Sequence, residues 1–259
     1  ELNPLLGFVP LQFLPLRTGF PGPGQNGASK DDNVDYSIKL SYELNDQVTI
    51  YGGLATGYKA TQWNLSRDSA PAQAELTALL AAGFTTPPNF TMGTRKANAE
   101  EGEVYEIGAK MLFEQGRLNI TYFDQTVEEF VSNTFFGTGF VLANAGQQSA
   151  KGVEFDLLFS PTENLDLALS GMFIDSKYDS FTGSVAGDVS GQDVEGVHPE
   201  SLSASITWNW EADAFRGYAR VHYQHDSSVV MRLDQAETQV LTQFGHDKRE
   251  KGLLNASFG

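Results

Sequence analysis

Residues 201–210 read SLSASITWNW, a run in which small polar and apolar side chains alternate without a break. Successive side chains on a β-strand point to opposite faces of a sheet, so such a run predicts a strand with two different faces. The apolar face would carry Leu202, Ala204, Ile206, Trp208 and Trp210. The polar face would carry Ser201, Ser203, Ser205, Thr207 and Asn209. The stretch therefore predicts an amphipathic strand and an all-β fold.

The same alternation recurs through most of the chain. Clear examples run over Val34–Leu44, Tyr105–Phe113, Val153–Phe159 and Phe215–Tyr223. Weaker candidates are Val48–Tyr58, Leu118–Val131, Leu165–Asp175 and a segment from Lys251 to the end. The total is about nine strands, and most have the roughly 9–11 residues that a tilted strand needs to cross a bilayer. Helical periodicity is confined to Ala72–Ala82, inside the longest loop.

The connections between these strands alternate between short and long. The short turns are 45–47, 114–116, 162–164 and 212–214. The long loops run over about 59–103, 132–146, 176–198 and 226–250. Outer-membrane barrels keep short turns on the periplasmic side and long loops outside, whereas soluble sandwiches mix loop lengths at both ends. The asymmetry predicts an antiparallel transmembrane β-barrel.

Period-two alternation alone fits either a soluble core or a lipid-facing surface. Ser, Thr, Asn and Gly dominate the polar faces, and the strands exceed the five or six residues usual in soluble proteins. Aromatic side chains also collect near the strand ends, as interfacial girdles require. They are Tyr42, Tyr58, Tyr105, Phe113, Tyr122, Phe123, Trp208, Trp210 and Tyr223. These features favour the barrel over the alternative, a soluble β-rich binding protein such as a lectin.

Composition excludes several other classes. The 259 residues carry a net charge of −16, so no basic patch exists for nucleic acid. Cysteine is absent, which excludes disulfides and thiolate metal sites, and no apolar run is long enough for a transmembrane helix. Many of the Asp and Glu residues lie in the loops. They either keep the loops soluble or, alternatively, bind a divalent cation that bridges loops or lipopolysaccharide.

The strand count predicts an incomplete barrel. An open sheet cannot lie in a bilayer because its edges would leave backbone groups unpaired in hydrocarbon. An odd count that stops within a strand, at Ser257-Phe258-Gly259, adds to this expectation. A Pro- and Gly-rich stretch at 21–24 precedes the first strand, and we expect no signal peptide within this sequence. We therefore expect residues 1–259 to be one partial barrel domain.

Several segments resemble the barrel of TonB-dependent outer-membrane receptors. Glu103–Lys110 resembles the strand motif E-x-x-E-x-G-x-K of that family, although Ala99-Glu100-Glu101 stands where a proline is usual. Further similar segments, in the family's order, are Asn144-Ala-Gly146 with 151–154, then 161–167 with Tyr178, then Gly196–Pro199. The motif residues are Glu103, Glu106, Gly108, Lys110, Asn144, Gly152 and Glu154. The resemblance extends from about residue 34 to 225.

The resemblance implies a location and a function. It implies part of a barrel of about 22 strands in the bacterial outer membrane, without the plug domain, the coupling box and the C-terminal strands. Such a receptor binds a scarce nutrient (a ferric siderophore, haem, cobalamin or a carbohydrate) and imports it through the plug with a TonB-type energy-coupling protein. It would be a monomer surrounded by lipid and lipopolysaccharide, with no enzymatic activity and no cofactor. A passive porin-like channel is the alternative.

Candidate site residues fall into two groups. We interpret the motif residues as wall structure, with Glu106 and Lys110 on one polar face and Glu154 as a possible partner. Side chains in or beside the long loops either contact the substrate or pack the loops together. They are Trp63, Arg67, Phe84, Phe90, Tyr178 and His198. His222 and His225 should lie on opposite faces of their strand, so no metal site is predicted, and no catalytic constellation stands out.

Overall fold

Nine antiparallel strands form one sheet in the computed structural model, which describes residues 28–63, 96–136, 139–182, 184, 187–213, 215–230 and 248–259, together with 81 and 243. In chain order the strands are β1 (Ser37–Asn45), β2 (Val48–Lys59), β3 (Gln62–Trp63), β4 (Lys96–Ala97), β5 (Glu100–Phe113), β6 (Gly116–Glu128), β7 (Val131–Phe136), β8 (Gly139–Asn144), β9 (Gln147–Thr162), β10 (Leu165–Ser180), β11 (Glu200–Ala212), β12 (Phe215–Val230) and β13 (Lys248–Phe258). The large sheet has the order β1-β2-β5-β6-β9-β10-β11-β12-β13. Each strand of the large sheet therefore pairs with the strands of that sheet that precede and follow it along the chain, as in the wall of an up-and-down barrel.

The strand boundaries correct several details of the sequence prediction. β1 begins at Ser37 rather than Val34, and β10 and β12 continue beyond the predicted ends to Ser180 and Val230. The predicted loop 132–146 instead contains most of the hairpin β7–β8, and β3 pairs with β4 inside the loop after β2. The helix expected at 72–82 lies outside the described residues except for Ala81. Among the described residues, no helix has the length and apolar character required to cross a membrane.

The apolar face of the sheet is the exposed one. Leu40 is 74% exposed, Ile107 63%, Ile206 54% and Trp208 49%. In a soluble protein these side chains would form the core, because leaving each exposed forfeits about 1.5–3 kcal/mol. The opposite face is polar and concave. The wall of a membrane barrel has the same two faces, because its apolar side meets lipid and its polar side meets a water-filled lumen.

Glycines on the sheet make room for aromatic rings on adjacent strands. Tyr51 lies opposite Gly108 and Phe123 opposite Gly152, both on the polar face. A Cβ on Gly108 would lie 2.5 Å from Tyr51 Cζ and 2.7 Å from the carbonyl oxygen of Ile120. The two motif glycines thus let aromatic rings lie flat on the wall, as aromatic rescue of strand glycines requires.

Gly108→Ala is expected to lower the free energy of unfolding by about 1–3 kcal/mol, because the added methyl group overlaps backbone as well as a ring. Gly57→Ala is the matched control, since a Cβ there meets nothing within 4 Å. It should change stability by no more than about 0.5 kcal/mol. Urea unfolding midpoints of the full-length protein in lipid vesicles measure both effects. Equal midpoints for the two variants would exclude this role for Gly108.

Candidate functional site: the inner face and the outer loops

The concave inner face contains a cavity of about 550 Å³ at mid-wall. Strands β2, β5, β6, β9, β10, β11 and β12 all contribute to it because their registers bring polar side chains level with one another. Its charged lining residues are Lys110, Glu154, Asp156 and Asp226. Charges of both signs surrounded by Ser, Thr and Asn side chains suit a hydrated path or a polar ligand.

Glu106 pairs across the sheet with Lys39 and not with Lys110. The Lys39 Nζ lies 2.5 Å from Glu106 Oε1. The Lys39 and Lys110 ammonium groups lie 4.8 Å and 5.5 Å from the centroid of the Tyr51 ring, within cation–π range. The Tyr51 hydroxyl is 2.6 Å from Thr121 Oγ1. The sequence prediction missed Lys39 and Tyr51, which only the β1–β2–β5 register brings to the motif.

The outer aromatic cluster, made of Phe130, Tyr178 and Phe181, lies at the long-loop end of the sheet. The ring centroids are 5.3–5.6 Å apart, and each of the three side chains is no more than 8% exposed. Val189 of the loop after β10 completes the cluster and is 1% exposed. Burial raises the pKa of the Tyr178 phenol. Tyr178, one of the side chains beside the long loops predicted either to contact the substrate or to pack the loops (the vestibule residues), is therefore positioned to pack loops together.

The other predicted vestibule residues have separate positions. Trp63 Nε1 donates to Ser29 Oγ at 3.1 Å. His198 Nδ1 lies 2.5 Å from the carbonyl oxygen of Ser227, which ties the start of β11 to β12. Arg67, Phe84 and Phe90 lie outside the described residues. Near Trp63, the hydroxyl of Thr61 donates to Asp31 at 2.6 Å and holds the pKa of that carboxyl below its usual range.

The motif residues Asn144 and Glu103 lie near the outer end of the wall. Asn144 Oδ1 accepts from the Asn98 amide at 2.7 Å, and its Nδ2 donates to the carbonyl oxygens of Asn98 at 3.2 Å and Glu129 at 2.6 Å. Glu103 Oε1 accepts from the Tyr105 hydroxyl at 2.7 Å. Asn144 joins two segments of the chain, whereas the Glu103 bond lies within β5, and both arrangements suit a structural role.

The histidines of β12 lie on opposite faces, as their spacing predicts. His222 lines the inner face beside Arg220 and Asn255. His225 Nδ1 lies 3.8 Å from Glu250 Oε1 and is paired in register with Leu202 of the apolar face. Within the described part of the chain, no group of three or more His, Asp or Glu side chains lies close enough to hold a metal ion.

Known proteins share this architecture. The family model "TonB dependent receptor-like, beta-barrel" matches residues 15–246. The ferric yersiniabactin uptake receptor FyuA from Yersinia pestis superposes with a TM-score of 0.64 at 19% identity, over 89% of this chain and 30% of that one. The ferric preacinetobactin receptor BauA from Acinetobacter baumannii has a TM-score of 0.57 at 14% identity, over 86% and 28%. The copper transporter OprC has a TM-score of 0.55 at 13% identity, over 86% of this chain and 30% of that one.

The chain thus spans 28–30% of the length of these structures. No curated protein matches the sequence. At such low sequence identities, structural similarity shows only that the folds are alike. The family model matches most of the chain and therefore shows which family the chain belongs to. The sheet topology, the exposed apolar face and the family match lead to one conclusion: this chain belongs to the TonB-dependent receptor β-barrel family and forms part of a barrel wall in the bacterial outer membrane.

Proposed function

We propose that this chain forms part of a receptor that captures a scarce nutrient with its long loops and passes it into the lumen, with a ferric siderophore as the ligand class. The observation that carries the proposal is the polar inner face with its cavity of about 550 Å³. Lys110, Glu154 and Asp226 line this cavity, so a polar ligand that passes along it would meet charges of both signs.

Support for the ligand class comes from the proteins of the same fold. Two of them are, by name, receptors for ferric yersiniabactin and ferric preacinetobactin, and a third is a copper transporter. Energy coupling through a plug and a TonB-type protein is part of the proposal, as are the monomeric state and the contact with lipopolysaccharide. A passive porin-like channel is the competing outcome of the test.

Uptake of radioactive iron by cells that carry or lack the full-length gene tests the proposal. Under iron limitation, we expect a ferric siderophore to enter only cells with the gene and only when the energy-coupling protein is present. Uptake that persists without the coupling protein would support a passive channel. Uptake of copper but of no ferric siderophore would support the receptor function and show that the proposed ligand class is wrong.

The predicted vestibule contacts Trp63, Arg67 and His198 remain part of this proposal, while the burial of Tyr178 gives it an indirect role. Trp63→Ala is expected to weaken ligand binding about tenfold or more, since Trp side chains often dominate binding energy. Trp208→Ala, on the lipid face, is the control and should leave affinity unchanged. Fluorescence titration of the purified full-length receptor measures both constants. Unchanged affinity in the Trp63 variant would remove it from the ligand site.

A further inference from the structure

We propose that the described parts of three successive extracellular connections, those between β2 and β5, β6 and β9, and β10 and β11, are joined into one mechanical unit, with Asn144 as its positioning residue. This inference concerns how the loops move and does not depend on which ligand the receptor binds. It rests on two sets of contacts that meet at residues 129–131 and 144–146.

The first set is polar and joins the first two connections. Asn98, between β4 and β5, has both its backbone amide and its carbonyl bonded to the Asn144 side chain. The same side-chain amide donates to the carbonyl oxygen of Glu129, which has a positive φ of 52°. A non-glycine residue in that region is strained and persists only where its surroundings hold it. Asn144 thus fixes the corner after β6 and the start of β5 together.

A second polar contact reinforces the same junction. Glu100 Oε1 accepts from the Val131 amide at 2.6 Å and from Lys59 Nζ at 3.0 Å. The Glu100 side chain is 15% exposed, so this charged acceptor is largely shielded from water. Hydrogen bonds to charged groups are stronger than neutral ones. The Glu100 carboxylate therefore holds together the end of β2, the start of β5 and the start of β7.

The other set joins the corner to β10 and its following loop. The Phe130 amide donates to the carbonyl oxygen of Gly146 at 3.1 Å, and the Ala145 amide donates to that of Phe130 at 2.7 Å. Gly146 has a φ of 114°, and a Cβ there would lie 2.2 Å from the carbonyl oxygen of Ser180. The Phe130 ring packs on Tyr178 and Phe181 of the outer aromatic cluster.

Displacement of one connection would therefore be transmitted to the other two. Coupling of this kind travels through contiguous packed side chains and hydrogen-bond networks. Here the network runs without interruption from Asn98 through Asn144 and Glu129 to Phe130 and Phe181. A ligand held by any of these loops would act on the whole unit.

Amide hydrogen exchange of the full-length receptor tests the unit. In Asn144→Ala, exchange at Asn98 should rise about tenfold or more, because its amide loses its acceptor. Exchange at Val131 should also rise, although its amide is bonded to Glu100 and not to Asn144. Phe130→Leu should likewise accelerate exchange at Asn98. Asn209→Ala, which removes a 3.0 Å bond to Asp166 at the short-turn end, is the control and should change neither amide.

The double variant Asn144→Ala with Phe130→Leu distinguishes coupling from two local effects. A single unit predicts non-additive changes in opening free energy, since either substitution already releases the other contact. Changes confined to Asn98 and additive in the double variant would overturn the proposal. If Asn144→Ala does not assemble, Asn144→Asp replaces it, because the carboxylate keeps the acceptor for the Asn98 amide and loses both donations. A single unit then predicts faster exchange at Val131, and unchanged exchange at Val131 would overturn the proposal.

Discussion

Phe130→Ala is expected to lower the local stability of the extracellular loops by about 3–5 kcal/mol, the cost of deleting a buried aromatic side chain. Phe130 is 8% exposed and lies 5.3 Å from Phe181 and 5.6 Å from Tyr178, measured between ring centroids. Its removal takes one of the three rings from the cluster that contains Val189 and opens a cavity beneath the loop after β10. The transmembrane part of the wall should remain folded.

Limited proteolysis and amide exchange of the full-length receptor in lipid measure this loss. Cleavage should become much faster between residues 178 and 198, with little change in the overall unfolding midpoint. Phe215→Ala is the matched control, because Phe215 is 64% exposed and lies at the opposite, short-turn end. Equal acceleration in both variants would show that the outer aromatic cluster does not hold the loops.

Ile206→Arg is expected to destabilise the barrel by about 2–4 kcal/mol, the cost of a cationic side chain that faces lipid near the bilayer midplane. Ile206 lies midway along β11 and is 54% exposed on the apolar face. The adjacent Thr207 points to the polar inner face, where it is paired in register with Arg220 of β12 and Asp166 of β10. Thr207→Arg should therefore cost much less.

Unfolding by urea in phospholipid vesicles, with the two arginine variants compared directly, measures the difference. The refolding yield of Ile206→Arg should also fall, because the charged strand must enter hydrocarbon during insertion. If Thr207→Arg were the more damaging substitution, the assignment of lipid and lumen faces would be reversed.

The sequence predicted the long strands and their faces because both depend on local alternation. All nine strands of the large sheet overlap predicted segments, and the exposed apolar residues of β11 are those of the 201–210 pattern. The hairpin β7–β8 was missed because its strands are short, although Gly137-Thr138-Gly139 is a turn signal that would have indicated it. Strand ends above the membrane were underestimated because alternation weakens where both faces meet water.

The candidate site was predicted less completely. The family motifs drew attention to Glu106 and Asn144, and both make specific bonds in the structure. Their partners, Lys39 and Asn98, are 67 and 46 residues away along the chain. Nothing in the residues near a motif indicates so distant a partner. A local sequence pattern also could not predict the burial of Tyr178, since the loop that covers it begins only after β10 ends.

By itself, the sequence determined the period-two strands, the polarity of their two faces and the alternation of short and long connections. These follow from the chirality and pleat of a single strand and from the length of chain between strands. The tertiary structure alone decided the Lys39–Glu106 pair, the ring of Tyr51 over Gly108 and the bonds that join Asn144 to Asn98 and Glu129. Such contacts depend on cross-strand register, and register is set by the packing of all neighbouring strands together.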